Sequence, residues 1–181
     1  MNTPCHYVRL GRWTTLQILC VEILLASALL LLSGEAFAFC FAKAAQRYQI
    51  SEPLLRAIAL AESGNNASAF HANADGSIDI GVMQVNSSHL KRLADFGIEK
   101  SDLLQPCTNV MVGAWVLATN IQKYGLTWRA VGSYNAGDGP GRDAFRIRYV
   151  ARVKPIFERL QKNAALQLEI ANGSNDAEAA Q

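Results

Sequence analysis

Ser51-Glu52-Pro53-Leu54-Leu55-Arg56-Ala57-Ile58-Ala59-Leu60-Ala61-Glu62-Ser63-Gly64 is the stretch on which the fold turns. Ser51 has an N-cap side chain, Pro53 suits a first turn where its missing N–H costs nothing, and Gly64 closes the segment. At about 100° per residue, Leu55, Ile58, Ala59 and Glu62 fall on one helical face. A carboxylate therefore takes a place in the apolar stripe where a core aliphatic is expected. It lies in the last turn, at the negative end of the helix dipole, among apolar neighbours that desolvate its charged form. Both effects raise its pKa. A carboxyl that holds its proton near neutral pH is what a general acid needs. The structural alternative is a rim glutamate paired with Arg56 or another cation.

Outward from this helix the chain reads as mostly helical. Residues 40–48 make a short amphipathic helix. Residues 65–77 are small and polar, with Asp75-Gly76 as a turn signal, so a loop or short hairpin is expected. Residues 79–86 alternate as a strand does, and Ser87 is placed to cap a helix through Leu93. Residues 108–124 form the longest predicted helix, closed by Gly125, with Val112, Trp115, Val116 and Thr119 on one stripe. Thr127 caps a helix ending near Tyr134, and Gly137, Gly139, Pro140 and Gly141 break the chain. Helix resumes over 143–162, where Pro155 is expected to disturb it. The fold class is α+β, predominantly α-helical: one domain over residues 39–160 with a small irregular β/loop region. Residues 161–181 are a polar tail, frayed or disordered.

The chain has 181 residues, 17 basic and 15 acidic, for a net charge of +2. That balance excludes a strongly basic nucleic-acid binder and an acidic disordered chain. Residues 1–38 read as a cleavable signal peptide. Arg9 and Arg12 precede the apolar run 23–32, and Ala36-Phe37-Ala38 supplies the small-residue cleavage site. An uncleaved anchor over 16–33 is the competing reading, weakened by Gln17 and Glu22. Cys5 and Cys20 leave with the signal. The remaining pair, Cys40 and Cys107, reads as one disulfide in an oxidising compartment. His71 and His89 stand apart from both cysteines, so no metal site is expected.

Three further motifs carry a resemblance. Glu62-Ser63-Gly64, Asp79-Ile80-Gly81-Val82-Met83-Gln84-Val85-Asn86 and Ser133-Tyr134-Asn135-Ala136-Gly137 occur in that order, followed by Tyr149-Val150. Together they resemble the catalytic domain of bacterial lytic transglycosylases, a lysozyme-like family acting on peptidoglycan, over about residues 40–157. The resemblance implies Glu62 as the sole catalytic carboxylate. It implies substrate contacts from Ser63, Gly81, Met83, Gln84, Tyr134, Asn135 and Tyr149, with no metal or cofactor. Gly81 would let backbone approach a sugar ring, and Tyr134 would help orient Glu62.

In that family the glutamate first protonates the glycosidic oxygen. It then accepts the C6 hydroxyl proton, which leaves a 1,6-anhydromuramyl end. The small size and "D-I-G" variant look like members that open the wall for secretion, conjugation or pilus machines, so the implied partners are peptidoglycan strands and such an assembly. The implied location is the periplasm. A glycosidase usually needs two carboxyl groups. Asp75 is expected to form a turn, and Asp79 to make a structural hydrogen bond or lie at the rim. Arg142, Arg146, Arg148, Arg152 and Lys154 read as a solvated helix face. The rivals are a hydrolytic muramidase of the same fold, using a water positioned by Asp79 or Asp75, and a non-catalytic peptidoglycan-binding assembly factor.

Overall fold

The computed structural model describes residues 35–179. The predicted signal segment and anchor alternative, up to residue 34, lie outside the described residues, as do Cys5 and Cys20. Among the described residues no helix is long and apolar enough to cross a membrane.

Among the described residues six α-helices and three short strands follow in order: α1 (Glu35–Tyr48), α2 (Glu52–Ser63), β1 (Phe70–Ala72), β2 (Ile78–Ile80), β3 (Val85–Asn86), α3 (Leu90–Leu93), α4 (Pro106–Tyr124), α5 (Trp128–Ala136) and α6 (Asp143–Ala179). The deciding stretch is helical as read. Ser51 Oγ accepts the Leu54 N–H, and Gly64 ends α2 in the left-handed region at φ 65°. Leu54, Leu55, Ala57, Ile58 and Ala59 are buried, and each large aliphatic among them stabilises the fold by roughly 1.5–3 kcal/mol.

The main core gathers these side chains with Phe41 and Ala44 of α1, Val110, Ala114 and Leu117 of α4, Val131 of α5, and Tyr149 and Val153 of α6. α6 packs on α2 and α5, and α4 packs on α5. A smaller core of Ile80, Val85, Leu93, Leu103 and Val112 lies under the sheet. Cys40 and Cys107 are joined, with Cα atoms 5.2 Å apart. The expected bridge from the first helix to the start of a much later one is present. Closing its loop contributes about 4 kcal/mol in the chain-entropy account.

Several local expectations change. Residues 79–86 are not one strand but a hairpin turn between β2 and β3, paired Asp79↔Asn86 and Ile80↔Val85. Gly81 at φ 75° and Gln84 at φ 48° turn the chain there. Asn86, not Ser87, caps the following 3₁₀ turn, accepting the Ser88 N–H. Ser87 Oγ instead accepts from Ile78 N. In α4 the core face is Asn109, Val110, Gly113, Ala114 and Leu117 rather than the predicted stripe. Of that stripe, Val112 and Trp115 pack in the smaller core and Thr119 is exposed. Helix α6, not α4, is the longest, and it passes Pro155 without a break. Val153, Ile156, Phe157 and Leu160 hold that segment against the core, which outweighs the one helical hydrogen bond a proline removes. Helix α6 continues to Ala179, and its residues 165–172 are exposed.

Candidate active site

The C-terminal end of α2, the β2–β3 hairpin and the end of α5 meet at a cleft of about 800 Å³. Its lining includes Glu62, Asn73, Asp75, Asp79, Gln84, Asn86, His89, Tyr134, Asn135, Asp138 and Arg142. A second cavity, about 620 Å³, opens beside the disulfide between Leu93, Phe96, Met111 and Trp115. It has no carboxylate in its lining, so acid chemistry belongs to the first.

Glu62 is half-buried, and its Oε1 is wholly enclosed without a hydrogen bond among the described residues. Burial, the largest influence, pushes its pKa above the ordinary 4.5, and the charge of Asp79 pushes the same way. The Tyr149 hydroxyl, then the Arg152 charge, then the Asn135 amide pull it back. The direction expected from the apolar stripe holds. The predicted ion pair with Arg56 does not form, because Arg56 Nε reaches Glu52 Oε1 at 2.7 Å.

The hairpin owes its shape to Asn109, which sequence reasoning missed. This fully buried amide donates to the carbonyls of Ile80 and Leu103, each at 2.8 Å, and accepts from Met83 N at 2.7 Å. A side chain on Gly81 would meet Asn109 Cγ at 2.7 Å and Leu103 O at 2.8 Å. Gly81 is therefore required by this clamp. Met83 is also withdrawn from the cleft: it is 0% exposed and packs into space left by Gly113. The signal in the sequence was an amide, Asn109, four residues before Gly113 at the head of the apolar run 110–118.

The other predicted site residues divide. Ser63 Oγ donates to Val82 O at 2.7 Å and accepts from Asn66 N, which fastens α2 to the hairpin. Gln84 lines the cleft, its amide nitrogen donating to Gly81 O at 2.9 Å, which leaves its carbonyl for a ligand. Asn135 lines the cleft and is exposed. Tyr134 lines the cleft, but its hydroxyl donates to Met83 O at 2.8 Å instead of orienting Glu62. Tyr149, buried and outside the cleft lining, lies near enough for its hydroxyl to lower the Glu62 pKa, while neither that hydroxyl nor Glu62 Oε1 has a hydrogen-bond partner among the described residues. Burial, then the Glu62 charge, raises the pKa of both tyrosines well above 10, so both remain phenols.

Asp75 forms a turn as expected: its Oδ1 accepts from Ser77 N and Oγ. Asp79 takes both predicted places at once. Asn86 Nδ2 donates to Oδ1 at 2.7 Å and Asn73 Nδ2 to Oδ2 at 3.0 Å, while the carboxylate lines the cleft close enough to raise the Glu62 pKa. Neutral His89 stands on the same wall, its pKa lowered by burial and then by Arg92. The basic series of α6 is not a uniform solvated face. Arg146 is 6% exposed and donates to Gly137 O at 2.6 Å and to Asp143. Arg152 acts on Glu62, and Arg142 enters the cleft. No group of three metal-ligating side chains occurs among the described residues.

With this geometry in view, the Transglycosylase SLT domain family matches residues 39–157, from α1 into α6. The chain belongs to that family. Among its relatives, the invasion protein IagB of Salmonella typhi is 42% identical over 75% of this chain and 86% of its own. Protein IpgF of Shigella flexneri is 42% identical over 70% of this chain and 82% of its own. An inactive mutant of the lytic transglycosylase Slt from Pseudomonas aeruginosa shares the fold, with a TM-score of 0.59 and 20% identity. It covers 73% of this chain, which spans only 25% of that larger one. The SLT domain implies peptidoglycan as the substrate class, and the cleft of this chain presents amides, hydroxyls and carboxyls.

Proposed function

We propose that this protein is a peptidoglycan lytic transglycosylase with Glu62 as its acid and base. The observation that carries the reading is the half-buried carboxyl of Glu62, its pKa raised by burial, in a cleft lined by Gln84, Tyr134 and Asn135. Glu62 gives its proton to the oxygen bridging N-acetylmuramic acid and N-acetylglucosamine, and the C1–O bond breaks. The C6 hydroxyl of the same muramic residue attacks C1, and its proton returns to Glu62. A 1,6-anhydromuramyl end results, and the catalyst is restored without water. The nucleophile is already tethered to the substrate, which gives the large proximity advantage of intramolecular reactions. Asn135 and the Gln84 carbonyl meet sugar hydroxyls or N-acetyl groups, and Tyr149 positions Glu62. The protein works in the periplasm after export and opens the wall locally for a secretion, conjugation or pilus machine. The "D-I-G" form of the hairpin motif and the likeness to an invasion protein support that setting.

One observation favours a second reading. Asp79, held by two amides beside Glu62, is where a hydrolytic muramidase would position water or stabilise developing positive charge. Digestion of purified sacculi followed by mass analysis separates the two, since hydrolysis adds one water to each new muramic end. Anhydro ends are expected, and their release is abolished by Glu62→Gln. Hydrated ends support the muramidase. Unchanged release by Glu62→Gln refutes Glu62 as the acid in both readings, and no release by the wild type leaves a binding factor.

A further inference from the structure

The cavity beside the disulfide takes no part in the chemistry above. Leu93 of α3, Phe96 just after it, and Met111 and Trp115 of α4 form an apolar wall, and the exposed Lys43 and Arg47 of α1 complete the groove. Phe96 is 69% exposed, a large ring left facing water. Arg92 adds a third cation, its guanidinium 4.8 Å from the centroid of the Trp115 ring. None of the three cations forms an ion pair among the described residues, and no carboxylate lines the groove. A concave apolar surface with unclaimed positive charge fits a segment that is apolar on one face and acidic overall.

Such a segment follows the matched domain. The family match stops at residue 157, whereas α6 runs on to Ala179. Residues 163–181 contain Glu169, Asp176 and Glu178 and neither lysine nor arginine. Leu166, Glu169 and Ile170 stand at offsets 0, 3 and 4, on one helical face. Both aliphatics are more than half exposed, so their own domain leaves that face largely open. None of the three lines the groove of the same copy. From Asn163 to Ala179 the helix adds about 25 Å, long enough to lay that face along a groove on another molecule.

We infer that the α6 tail of one copy seats in the disulfide-side groove of a second copy, and the reverse, closing a reversible dimer. Leu166 and Ile170 cover Phe96, Met111 and Trp115, and Glu169 meets Lys43 and Arg47. Reciprocal seating uses the same two surfaces twice, as a two-fold pair does. Neither surface includes a residue that lines the catalytic cleft. Two small contacts of this kind make a transient interface, with a Kd on the order of 10 μM.

Sedimentation equilibrium of the full-length protein, purified after export, tests this from about 1 to about 200 μM, a range that brackets that Kd. The mass is expected to climb from one copy toward two. In Leu166→Glu/Ile170→Glu it stays at one, and because both positions are exposed the fold is kept. Lys43→Glu/Arg47→Glu, also at exposed positions, weakens association about tenfold. Adding Glu169→Lys to that variant restores most of the loss, while Glu169→Lys alone weakens the wild type. A wild type that remains one copy at the highest concentration overturns the inference and leaves the groove to the chain's own tail or to another protein. A dimer that persists in the tail variant, is indifferent to the groove reversal, or is not recovered by Glu169→Lys overturns it as well. Mass is read and not cleavage, so no outcome bears on the transglycosylase reading.

Discussion

Replacing Asn109 with alanine removes the clamp that shapes the β2–β3 hairpin. Three buried backbone groups lose their partner: the carbonyls of Ile80 and Leu103 and the N–H of Met83. A buried polar group left without a partner costs about 1–3 kcal/mol. A water entering the vacated space satisfies part of the need, so the lower half of that range applies and the sum is about 4 kcal/mol. A domain of this size has roughly 5–15 kcal/mol in all, so Asn109→Ala should stay folded but be marginal. With a guanidinium m-value of about 3 kcal/mol/M, the unfolding midpoint falls by a little over 1 M at unchanged slope. Asn109→Asp keeps the acceptor for Met83 but turns lone pairs toward two carbonyls, and it should be no more stable than the alanine variant. A midpoint shift equivalent to less than about 1 kcal/mol in Asn109→Ala would refute the clamp, because solvent or neighbours would then be replacing all three bonds without penalty.

Glu62→Gln should be more stable than the wild type at neutral pH and no more stable below the ordinary carboxyl value. The folded carboxyl holds its proton above 4.5, so the wild type loses stability as pH rises through that window, and the amide does not; melting temperatures across pH 3–8 check this. Tyr149→Phe removes a group that eases ionisation of Glu62, and Asp79→Asn one that opposes it. The basic limb of the pH–activity profile should therefore move up in the first and down in the second, and movement in the same direction would contradict the electrostatics described. Reducing Cys40–Cys107 should lower stability by about 4 kcal/mol, read from unfolding curves with and without a thiol reductant.

The elements that could be read from sequence are those decided by near neighbours. The α2 helix has its cap, its proline and its stop within fourteen residues, and the misplaced carboxylate is visible in the same window. The hairpin motif was found, but its shape was not. Alternation in residues 79–86 is a local signal, whereas the turn is imposed by Asn109, which lies 26 residues beyond Met83. The same distance hid which tyrosine acts on Glu62. Either hydroxyl suits Glu62 chemically, and only the packing of α6 against α2 brings that of Tyr149 near it. Pro155 misled for the opposite reason. A strong local signal was overridden by tertiary contacts on both sides of it.

Arg146 has a consequence for how the cleft wall moves. Its guanidinium holds Gly137 O, and its own backbone lies against Gly132, where a Cβ would meet Arg146 O at 3.1 Å. The glycine-rich connection between α5 and α6 is thus a short arch with both feet pinned by one residue, not an open hinge. Residues 138–142 span the gap between those contacts, and at its far end sits Arg142, which lines the cleft. Lengthening the arch by a residue would carry Arg142 out of register with the cleft wall.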